Sequence, residues 1–224
     1  MEMQKKLLLL LFIKSCEMND VDKVVAWLTL SDDLKVDINA ANDSGTTAAQ
    51  KAAQMGHTEI IKILAATGLV DWNKGKMKSG CTPLYLALCR GHFEVAKIIM
   101  EQNNINLSVQ TKARGTIALA AIDGGIHCVQ LLTALQDFDY WNIPDTSGIT
   151  PLTLAIRNEN MAILEILLLC PRVNPNLEDN NGNSPVMIAV NDGKTAMARV
   201  LLKCPRVNLN TRDIRTLQKN ARWE

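Results

Sequence analysis

The residues of this 224-residue chain that could carry chemistry are six cysteines and three histidines, and they are regularly spaced. Cys170 and Cys204 lie 34 residues apart in two similar phrases, ILLLCPRVNPN and VLLKCPRVNLN, and His57, His92 and His127 follow each other at steps of 35. Such a ladder spreads side chains along a molecule and does not gather them in one site. No C-x-x-C pair suits zinc, and no Ser/His/Asp set or phosphate cradle occurs. We predict a protein without catalytic activity, metal or cofactor.

Disulfides are equally unsupported by the spacing. Equivalent positions in stacked helical units lie about 8–10 Å apart, beyond the limit of about 7 Å for a bridge. We therefore predict reduced thiols that pack as small apolar side chains. Cys81 and Cys89 fall at positions expected to be exposed, so they are the candidate reactive pair.

The composition favours helices and disfavours some classes of partner. Hydrophobic residues make up 47% of the chain and aromatic residues only 4%, so aliphatic side chains must form the core. A net charge of +1 provides no global field for nucleic acid or an anionic membrane. The longest apolar run, Leu7 to Ile13, is too short to span a membrane.

Two independent markers reveal an internal repeat. Alanines in similar phrases recur at steps of 35, 33, 35 and 34, at Ala52, Ala87, Ala120, Ala155 and Ala189. The ends of VDIN, VDWN, INLS, DYWN, VNPN and VNLN recur at steps of 34, 35, 34, 34 and 34, at Asn39, Asn73, Ser108, Asn142, Asn176 and Asn210.

Each repeat predicts two short helices. In SGCTPLYLALCRGHFEVAKIIMEQ, Thr82 is a suitable N-cap and Pro83 suits the first helical position. Gly91 ends this helix, and a second helix runs from about His92 to Met100. The histidines of the repeat can bond locally to the turn. Because one such unit cannot bury its apolar face, neighbouring units must stack.

The phrase GCTPLYLALCRGHFEVAKII resembles the ankyrin repeat, whose pattern is G-x-T-P-L-H-x-A-A-x-x-G-H-x-E-[IV]-V-x-L-L-L. The resemblance covers about residues 40–213, and SGITPLTLAIRNENMAILEILL and NGNSPVMIAVNDGKTAMARVLL match it well. The fourth repeat matches least, with Thr116 where Pro is expected. Arg172 and Arg206 replace the usual Gly after the second helix, so those loops should differ from the family pattern.

This resemblance implies an all-α ankyrin-repeat solenoid of about six stacked helix-turn-helix units with hairpin-like loops, in a single domain 1–224. The predicted parts are a degenerate N-terminal cap, five repeats and a partial C-terminal cap in which Thr216 could start a last helix. Their bounds are 5–39, 40–73, 74–108, 109–142, 143–176, 177–210 and 211–224.

The N-terminal run KKLLLLLFIKSC, Lys5 to Cys16, has two interpretations. A basic start and a short apolar stretch are features of an export signal, but Lys14 follows at once and no A-x-A-like cleavage site is present. In register, Ser15 aligns with Ala52 after a three-residue insertion in LSDDLK. We therefore predict the first helix of a capping unit, in a cytoplasmic protein, with the nucleus as the alternative location.

The resemblance implies a non-catalytic module that binds another protein through hairpin tips and the ends of the first helices. Basic and apolar side chains at these positions predict a partner with an acidic, partly apolar segment; we expect a monomer, no nucleic acid and no cofactor. The candidate contact residues are Met55, Lys78, Cys81, Arg90, Lys112, Arg114, Ile122, Asp123, Ile149, Arg157, Asn158 and Asn181.

Alternative functions remain open at this point. The chain could be the substrate-recognition part of a larger ubiquitin-ligase or kinase assembly, a soluble inhibitor of an enzyme or transcription factor, or a binder of anionic phosphate or lipid. Trp72 and Trp141 could stack bases, although packing within loops is the favoured interpretation. Asn39 and Asn73 resemble asparagines that are hydroxylated in ankyrin repeats, so they are candidate modification sites.

Overall fold

The computed structural model describes residues 2–30, 37–112 and 115–219 and divides into two compact units, Met1–Ala113 and Arg114–Glu224. The insertion predicted in LSDDLK, apart from Leu30, lies outside the described residues, as do the last residues of the predicted C-terminal cap. The predicted bounds of the repeats stay a prediction.

The first unit contains three helix pairs. Within it, α1, α3 and α5 pack side by side in one row, and α2, α4 and α6 form a second row. The elements are α1 (Glu2–Glu17), α2 (Val21–Leu28), α3 (Ala48–Met55), α4 (Thr58–Ala66), α5 (Pro83–Cys89), α6 (Phe93–Met100) and β1 (Gln110–Thr111).

The second unit has the same construction with one further helix. Here α7, α9, α11 and α13 form one row, and α8, α10 and α12 form the other. The elements are β2 (Gly115–Thr116), α7 (Ile117–Gly124), α8 (Ile126–Thr133), α9 (Pro151–Arg157), α10 (Met161–Leu169), α11 (Pro185–Asn191), α12 (Thr195–Lys203) and α13 (Thr211–Lys219).

The predicted all-α repeat class is confirmed, since the only strands in the described residues are two residues long. Helix α5 begins with Thr82 as N-cap and Pro83 in its first turn, as the sequence predicts. Small side chains permit close contact between helices: Ala52, Ala53 and Ala87 are fully buried.

One hydroxyl begins the first helix of every complete repeat and fixes the register. Its oxygen accepts the backbone N–H three residues later at 3.2–3.3 Å. The residues are Thr47, Thr82, Thr116, Thr150 and Ser184.

These N-caps correct the sequence alignment of the fourth repeat. Thr116 occupies the N-cap position and not the proline position, so Ala121, and not Ala120, is equivalent to Ala87. The spacing of 33 between Ala87 and Ala120 was therefore one residue short.

Asparagine side chains tie each loop of the first unit to the loop of the next repeat. Asn39 donates from Nδ2 to the carbonyl of Leu69 at 2.8 Å, and its Oδ1 accepts the N–H of Asp71 at 2.7 Å. Asn73 repeats the arrangement with the carbonyl of Asn104 at 2.7 Å and the N–H of Asn106 at 2.8 Å. Each amide thus joins backbone groups about 30 residues away.

The second unit uses the same bridge at Asn142 and Asn176. Asn142 donates to the carbonyl of Arg172 at 2.8 Å and accepts from the N–H of Asn174 at 2.8 Å. Asn176 donates to Arg206 at 2.8 Å and accepts from Asn208 at 2.7 Å. Four of the asparagines that recur in the sequence at steps of about 34 therefore form hydrogen bonds between neighbouring repeats.

Histidine and lysine add a second link between repeats. Nε2 of His57 lies 2.8 Å from the carbonyl of Glu17, and Nε2 of His92 lies 3.2 Å from that of Gln54. Lys194 donates from Nζ to the carbonyl of Arg157 at 2.7 Å. The expectation of a local bond to the turn is wrong for His57 and His92, because each ring reaches back to the preceding first helix.

Arg172 and Arg206, which stand where the family pattern has glycine, also form hydrogen bonds between repeats. Arg172 donates to the carbonyl of Leu135 at 3.2 Å. Arg206 donates to the carbonyls of Val173, at 2.7 Å, and Leu168. Both guanidinium groups thus satisfy backbone acceptors at the end of the preceding repeat, where helix carbonyls lack intrahelical partners.

The two terminal helices differ from the repeat pattern. The run Lys5–Cys16 is helical, as predicted, and packs on α3. Helix α13 begins at Thr211, so the expectation that Thr216 starts it is wrong. Its start is fixed by Asn210 and Asp213, which bond each other reciprocally at 2.8 Å. The carboxylate of Asp213 is buried and also accepts the hydroxyl of Ser184.

The asparagine bridges predict a specific effect on stability. Asn73→Ala removes two hydrogen bonds between repeats and should lower the free energy of unfolding by about 1–2 kcal/mol. Asn103→Ala, at an exposed asparagine near the end of the following repeat, is the matched control. Urea unfolding followed by circular dichroism measures both, and equal losses in the two variants would contradict a special role for Asn73.

Candidate protein-binding surface

The hairpin of the third repeat presents a methionine between two lysines. The N–H of Lys76 donates to the carbonyl of Cys81 at 3.0 Å, and the N–H of Gly80 donates to Lys76 at 2.7 Å. Gly80 has φ +72°, a conformation that favours glycine. This closed turn leaves Met77 80% exposed and Lys78 exposed at its tip.

The next loop brings a further lysine to this tip. The N–H of Lys112 donates to the carbonyl of Ser79 at 3.0 Å, so Lys112 lies beside the Lys78 turn. Neither lysine has an ion-pair partner among the described residues. We call Met77, Lys78 and Lys112 the tip cluster.

The other end of the first helices carries a second group in the same unit. Met55 is the last residue of α3 and is 47% exposed, and Arg90 is exposed directly after α5. His92 ties these ends together through the carbonyl of Gln54. We call Met55 and Arg90 the helix-end cluster. Helix α5, seven residues and about 10 Å long, separates Arg90 from the hairpin that carries Met77 and Lys78.

Two predicted contact residues are buried, so the expectation that they are exposed is wrong. Cys81 is buried because its carbonyl accepts Nε2 of Gln50 at 3.3 Å, which holds it on the inner side of the hairpin. Ile122 is buried because the corrected register makes it the equivalent of Leu88, inside α7. Neither side chain can belong to an exposed contact surface.

The remaining predicted residues lie in the second unit or outside the described part. Asp123, Arg157, Asn158 and Asn181 are exposed, and Ile149 is half-buried. Arg114 lies outside the described residues. The sequence also missed Met77, although an apolar residue within KGKMK, Lys74 to Lys78, was a visible signal.

Arg157 is partly committed to the hairpin of the next repeat. Its Nη2 lies 3.7 Å from Oδ2 of Asp179, a carboxylate that is almost fully buried. Burial opposes ionisation of Asp179, but the N–H groups of Asn183 and Asn181 and the charge of Arg157 outweigh it, so the pKa of Asp179 is lowered. Replacing Arg157 would therefore disturb this turn as well as any contact with a partner.

None of the six cysteines, all of which are in the described residues, forms a disulfide. Burial raises the pKa of Cys16 to about 12 and that of Cys128 to about 11. Cys89, Cys170 and Cys204 are half-buried. The assignment of Cys81 to a reactive pair is wrong, because Cys81 is buried.

The tryptophans and asparagines considered as binding or modification sites already pack or form hydrogen bonds within the fold. Trp72 and Trp141 are buried, which favours packing within loops over base stacking. The amides of Asn39 and Asn73 already bridge repeats, and their hydroxylation stays a prediction. Among residues 2–30, 37–112 and 115–219, no three His, Cys, Asp or Glu side chains are placed so that they could hold a metal ion. In the same ranges no helix is both long and apolar enough to cross a bilayer.

Comparison with known sequences places this geometry in context. A family profile described as Ankyrin repeats (3 copies) matches residues 11–111 and 117–213. The chain is 31% identical over 107 residues to the SMC5-SMC6 complex localization factor protein 1 of Homo sapiens, which covers 47% of this chain and 10% of that protein. It is 32% identical over 93 residues to the NF-kappa-B inhibitor cactus of Drosophila yakuba. That match covers 41% of this chain and 19% of cactus. The chain thus spans less than a fifth of either relative.

A solved structure shares the fold. A chain from the complex of the predatory endopeptidase Bd0816 of Bdellovibrio bacteriovorus with immunity protein Bd3460 has a TM-score of 0.75 and 22% identity. The match covers 86% of this chain and 96% of that chain. At this level of identity, the likeness shows the fold alone.

The thiol environments predict an order of alkylation. In the folded protein at about pH 8, iodoacetamide should label Cys170 and Cys204 first and leave Cys16 and Cys128 unlabelled, because the thiolate is the reactive form and burial opposes it. Peptide mass spectrometry over time measures each site, and urea should make the rates converge. Labelling of Cys16 as fast as Cys204 in the folded chain would contradict this account.

Asp179 predicts a pH-dependent contribution to stability. Because its pKa is lower in the folded state, its stabilising effect is present above the unfolded value of about 3.9 and is lost as pH falls through the folded value. Asp179→Asn should cost about 1–3 kcal/mol at neutral pH and less in acid. Urea unfolding of the wild-type chain and of Asp179→Asn, from neutral pH to below about 3.9, measures the difference in their free energies of unfolding. A difference that is independent of pH would contradict the prediction.

Proposed function

The chain belongs to the ankyrin-repeat family, and we propose that it is a non-catalytic protein-binding module that takes its partner on the tip and helix-end clusters of the first unit. Units of this family are generally modules for protein–protein interaction, and the family is generally non-catalytic. The further assignment to particular side chains is ours.

The tip cluster is the observation that carries this proposal. Met77 is among the most exposed large apolar side chains of the described residues. Within those same residues, neither Lys78 nor Lys112 has an acidic partner. The turn that presents Met77 and Lys78 is closed by backbone hydrogen bonds, so these two side chains are not needed to hold it. A preformed surface of this kind lowers the entropy cost of binding.

The chemistry of these clusters indicates the chemistry of the partner. Met77 and Met55 offer flexible apolar contacts, and Lys78, Lys112 and Arg90 offer positive charge. We infer a partner segment in which acidic residues alternate with apolar ones, as charge complementarity requires. The second-unit residues Asp123, Ile149, Asn158 and Asn181 remain proposed contacts.

A second candidate within the binding class is inhibition of another protein. The relative cactus is named an NF-kappa-B inhibitor, and its matched region is 32% identical to this chain. An inhibitor would use the same clusters to cover a functional surface of its partner.

The cysteines bear on where such a module acts. The six cysteines form no disulfide in the described residues, which supports a reducing compartment, so we propose the cytoplasm, with the nucleus as the alternative. We also propose a monomer.

The proposal predicts a charge-dependent selection of peptides. Display of random peptides against the wild-type chain should enrich sequences that combine Asp or Glu with apolar residues. Lys78→Glu with Lys112→Glu should weaken the selected peptides by about tenfold or more, measured by fluorescence anisotropy. Both lysines are exposed, so the melting temperature should not change.

The matched control is Lys62→Glu with Lys97→Glu, which makes the same charge change on α4 and α6 of the same unit. Equal losses in both pairs would assign the effect to net charge and contradict the proposed site. Selected peptides without acidic enrichment would contradict the proposed partner. Tight binding of inositol phosphates or anionic vesicles at the tip cluster, without peptide binding, would replace a protein partner with an anionic ligand.

A further inference from the structure

The hairpin of the third repeat is one residue longer than the hairpins of the second, fifth and sixth repeats. In each of those three, the backbone N–H of the first loop residue donates to the carbonyl four residues later. The pairs are Asn42 with Thr46, Asp145 with Ile149, and Asp179 with Asn183. In the third repeat, the N–H of Lys76 donates to the carbonyl of Cys81, five residues later. The extra residue lies in the tip that presents Met77 and Lys78.

The same hairpin has a lysine where the other three have a side-chain brace. In those three, Oδ1 of the first loop residue accepts the N–H groups two and four residues later at 2.8–3.1 Å. That residue is Asn42, Asp145 or Asp179, whereas Lys76 has no side-chain acceptor. A loop that exchanges its brace for an extra exposed residue departs from its own repeat pattern. Such departures are expected where a loop carries function.

A glycine of the preceding hairpin supports this longer tip. Gly45 is buried, and a Cβ placed on it would lie 2.6 Å from Cβ of Met77 and 2.9 Å from its Cγ. The stem of Met77 therefore packs on the backbone of Gly45, while the residue stays 80% exposed. Gly148 supports Asn180 in the same way, and that asparagine donates from Nδ2 to the carbonyl of Thr146 at 3.1 Å. Methionine has no donor for such a bond, so its thioether remains available to a partner.

This support changes what Met77 can contribute to binding. A methionine side chain has three rotatable bonds, and ordering them against a partner costs conformational entropy. Packing of Cβ and Cγ on Gly45 restricts the first of these bonds before binding, so less entropy is lost when the partner arrives. The thioether is thereby held beside Lys78, where one partner segment can contact it and place carboxylates against the lysines.

A purely structural role explains the exposed thioether poorly. Burial stabilises a fold in proportion to the apolar area removed from water, and Met77 leaves most of its surface in water. The third and fourth hairpins are already joined by the backbone hydrogen bond of 3.0 Å from Lys112 to Ser79.

We propose that Gly45 is a positioning residue for partner binding: it seats Met77, so that the longer hairpin presents the thioether to a large apolar side chain of the partner. Lys78 and Lys112 receive acidic residues of the same segment. The lysines thus select charge, and the contact between Gly45 and Met77 selects apolar size. This inference rests on the proposed function, and it assigns part of the recognition to a residue of a different hairpin.

The test uses the tightest peptide from the display selection and two derivatives of it. One derivative has Ala in place of its largest apolar residue, and the other has Asn or Gln in place of its acidic residues. By fluorescence anisotropy, each derivative should bind the wild-type chain at least about tenfold more weakly than the parent peptide. In Gly45→Ala, the apolar penalty should fall below about threefold, because the new Cβ displaces Met77. The acidic penalty should stay.

The matched control is Gly68→Ala in the same unit. Gly45 and Gly68 have φ +71° and +65°, so alanine is strained at both positions. Around Gly68, however, no other part of the described chain lies within 4 Å of an added Cβ. This variant should keep both penalties. Met77→Ala retains Gly45 and removes the thioether, so it should lose the apolar penalty alone. Circular dichroism checks that each variant is folded.

Three results would overturn this inference while the proposed function stands. In the first, Met77→Ala loses the apolar penalty and Gly45→Ala keeps it, so Met77 needs no seat. In the second, Gly45→Ala loses both penalties equally, which indicates a general disturbance of the site. In the third, both variants keep the apolar penalty, which places the apolar contact elsewhere. A selection that yields no acidic and apolar peptide would overturn the proposed function and this inference together.

Discussion

A helix pair of this size cannot bury its own apolar face, so everything else in this structure depends on how one pair is held to the next. Alanine-rich helix contacts bring neighbouring pairs close but do not by themselves fix their register. The asparagine bridge does, because one side chain donates to a carbonyl and accepts from an N–H of the following loop. Asn73 makes both bonds at 2.7–2.8 Å. An aspartate would lose the donor, and a serine is too short to make the same pair of bonds.

The other links between repeats act on different parts of the helix pair. His57 and His92 reach the end of the preceding first helix, and Arg206 reaches the end of the preceding second helix. Together with the asparagine bridges, they place polar side chains where helix ends and loops would otherwise leave backbone groups unsatisfied. These links do not use the side chains of Met77, Lys78 or Lys112. The tip cluster is therefore available to a partner, and a fold built for stacking also presents a binding surface there.

Local features of the sequence predicted the repeat well. A Thr or Ser N-cap and Pro at the first helical position depend on residues within one turn, and a period near 34 shows directly in the spacing of similar phrases. All three can therefore be recognised from sequence alone. The prediction failed where two adjacent residues were alike: Ala120 and Ala121 both fit the helix contact, and only the N-cap at Thr116 decides between them. That one-residue error placed buried Ile122 on the surface.

Contacts between repeats were beyond the same reasoning. The roles of Asn39, His92 and Arg206 depend on groups 30 to 40 residues away, and nothing in the local sequence specifies them. The burial of Cys81 has the same origin, since Gln50 of the preceding repeat holds its carbonyl. The apolar character of the third hairpin tip, by contrast, is local information, because Met77 stands within KGKMK.

Native-state hydrogen exchange is the most direct test of the claim that side-chain bridges join neighbouring repeats. The N–H groups of Asp71 and Asn106 lie in loops and donate to the side chains of Asn39 and Asn73. If the bridges hold the stack, these two amides should exchange with an opening free energy close to that of the core amides of α4 and α6. Exchange at the rate of an unprotected loop, while those helices stay protected, would contradict the account.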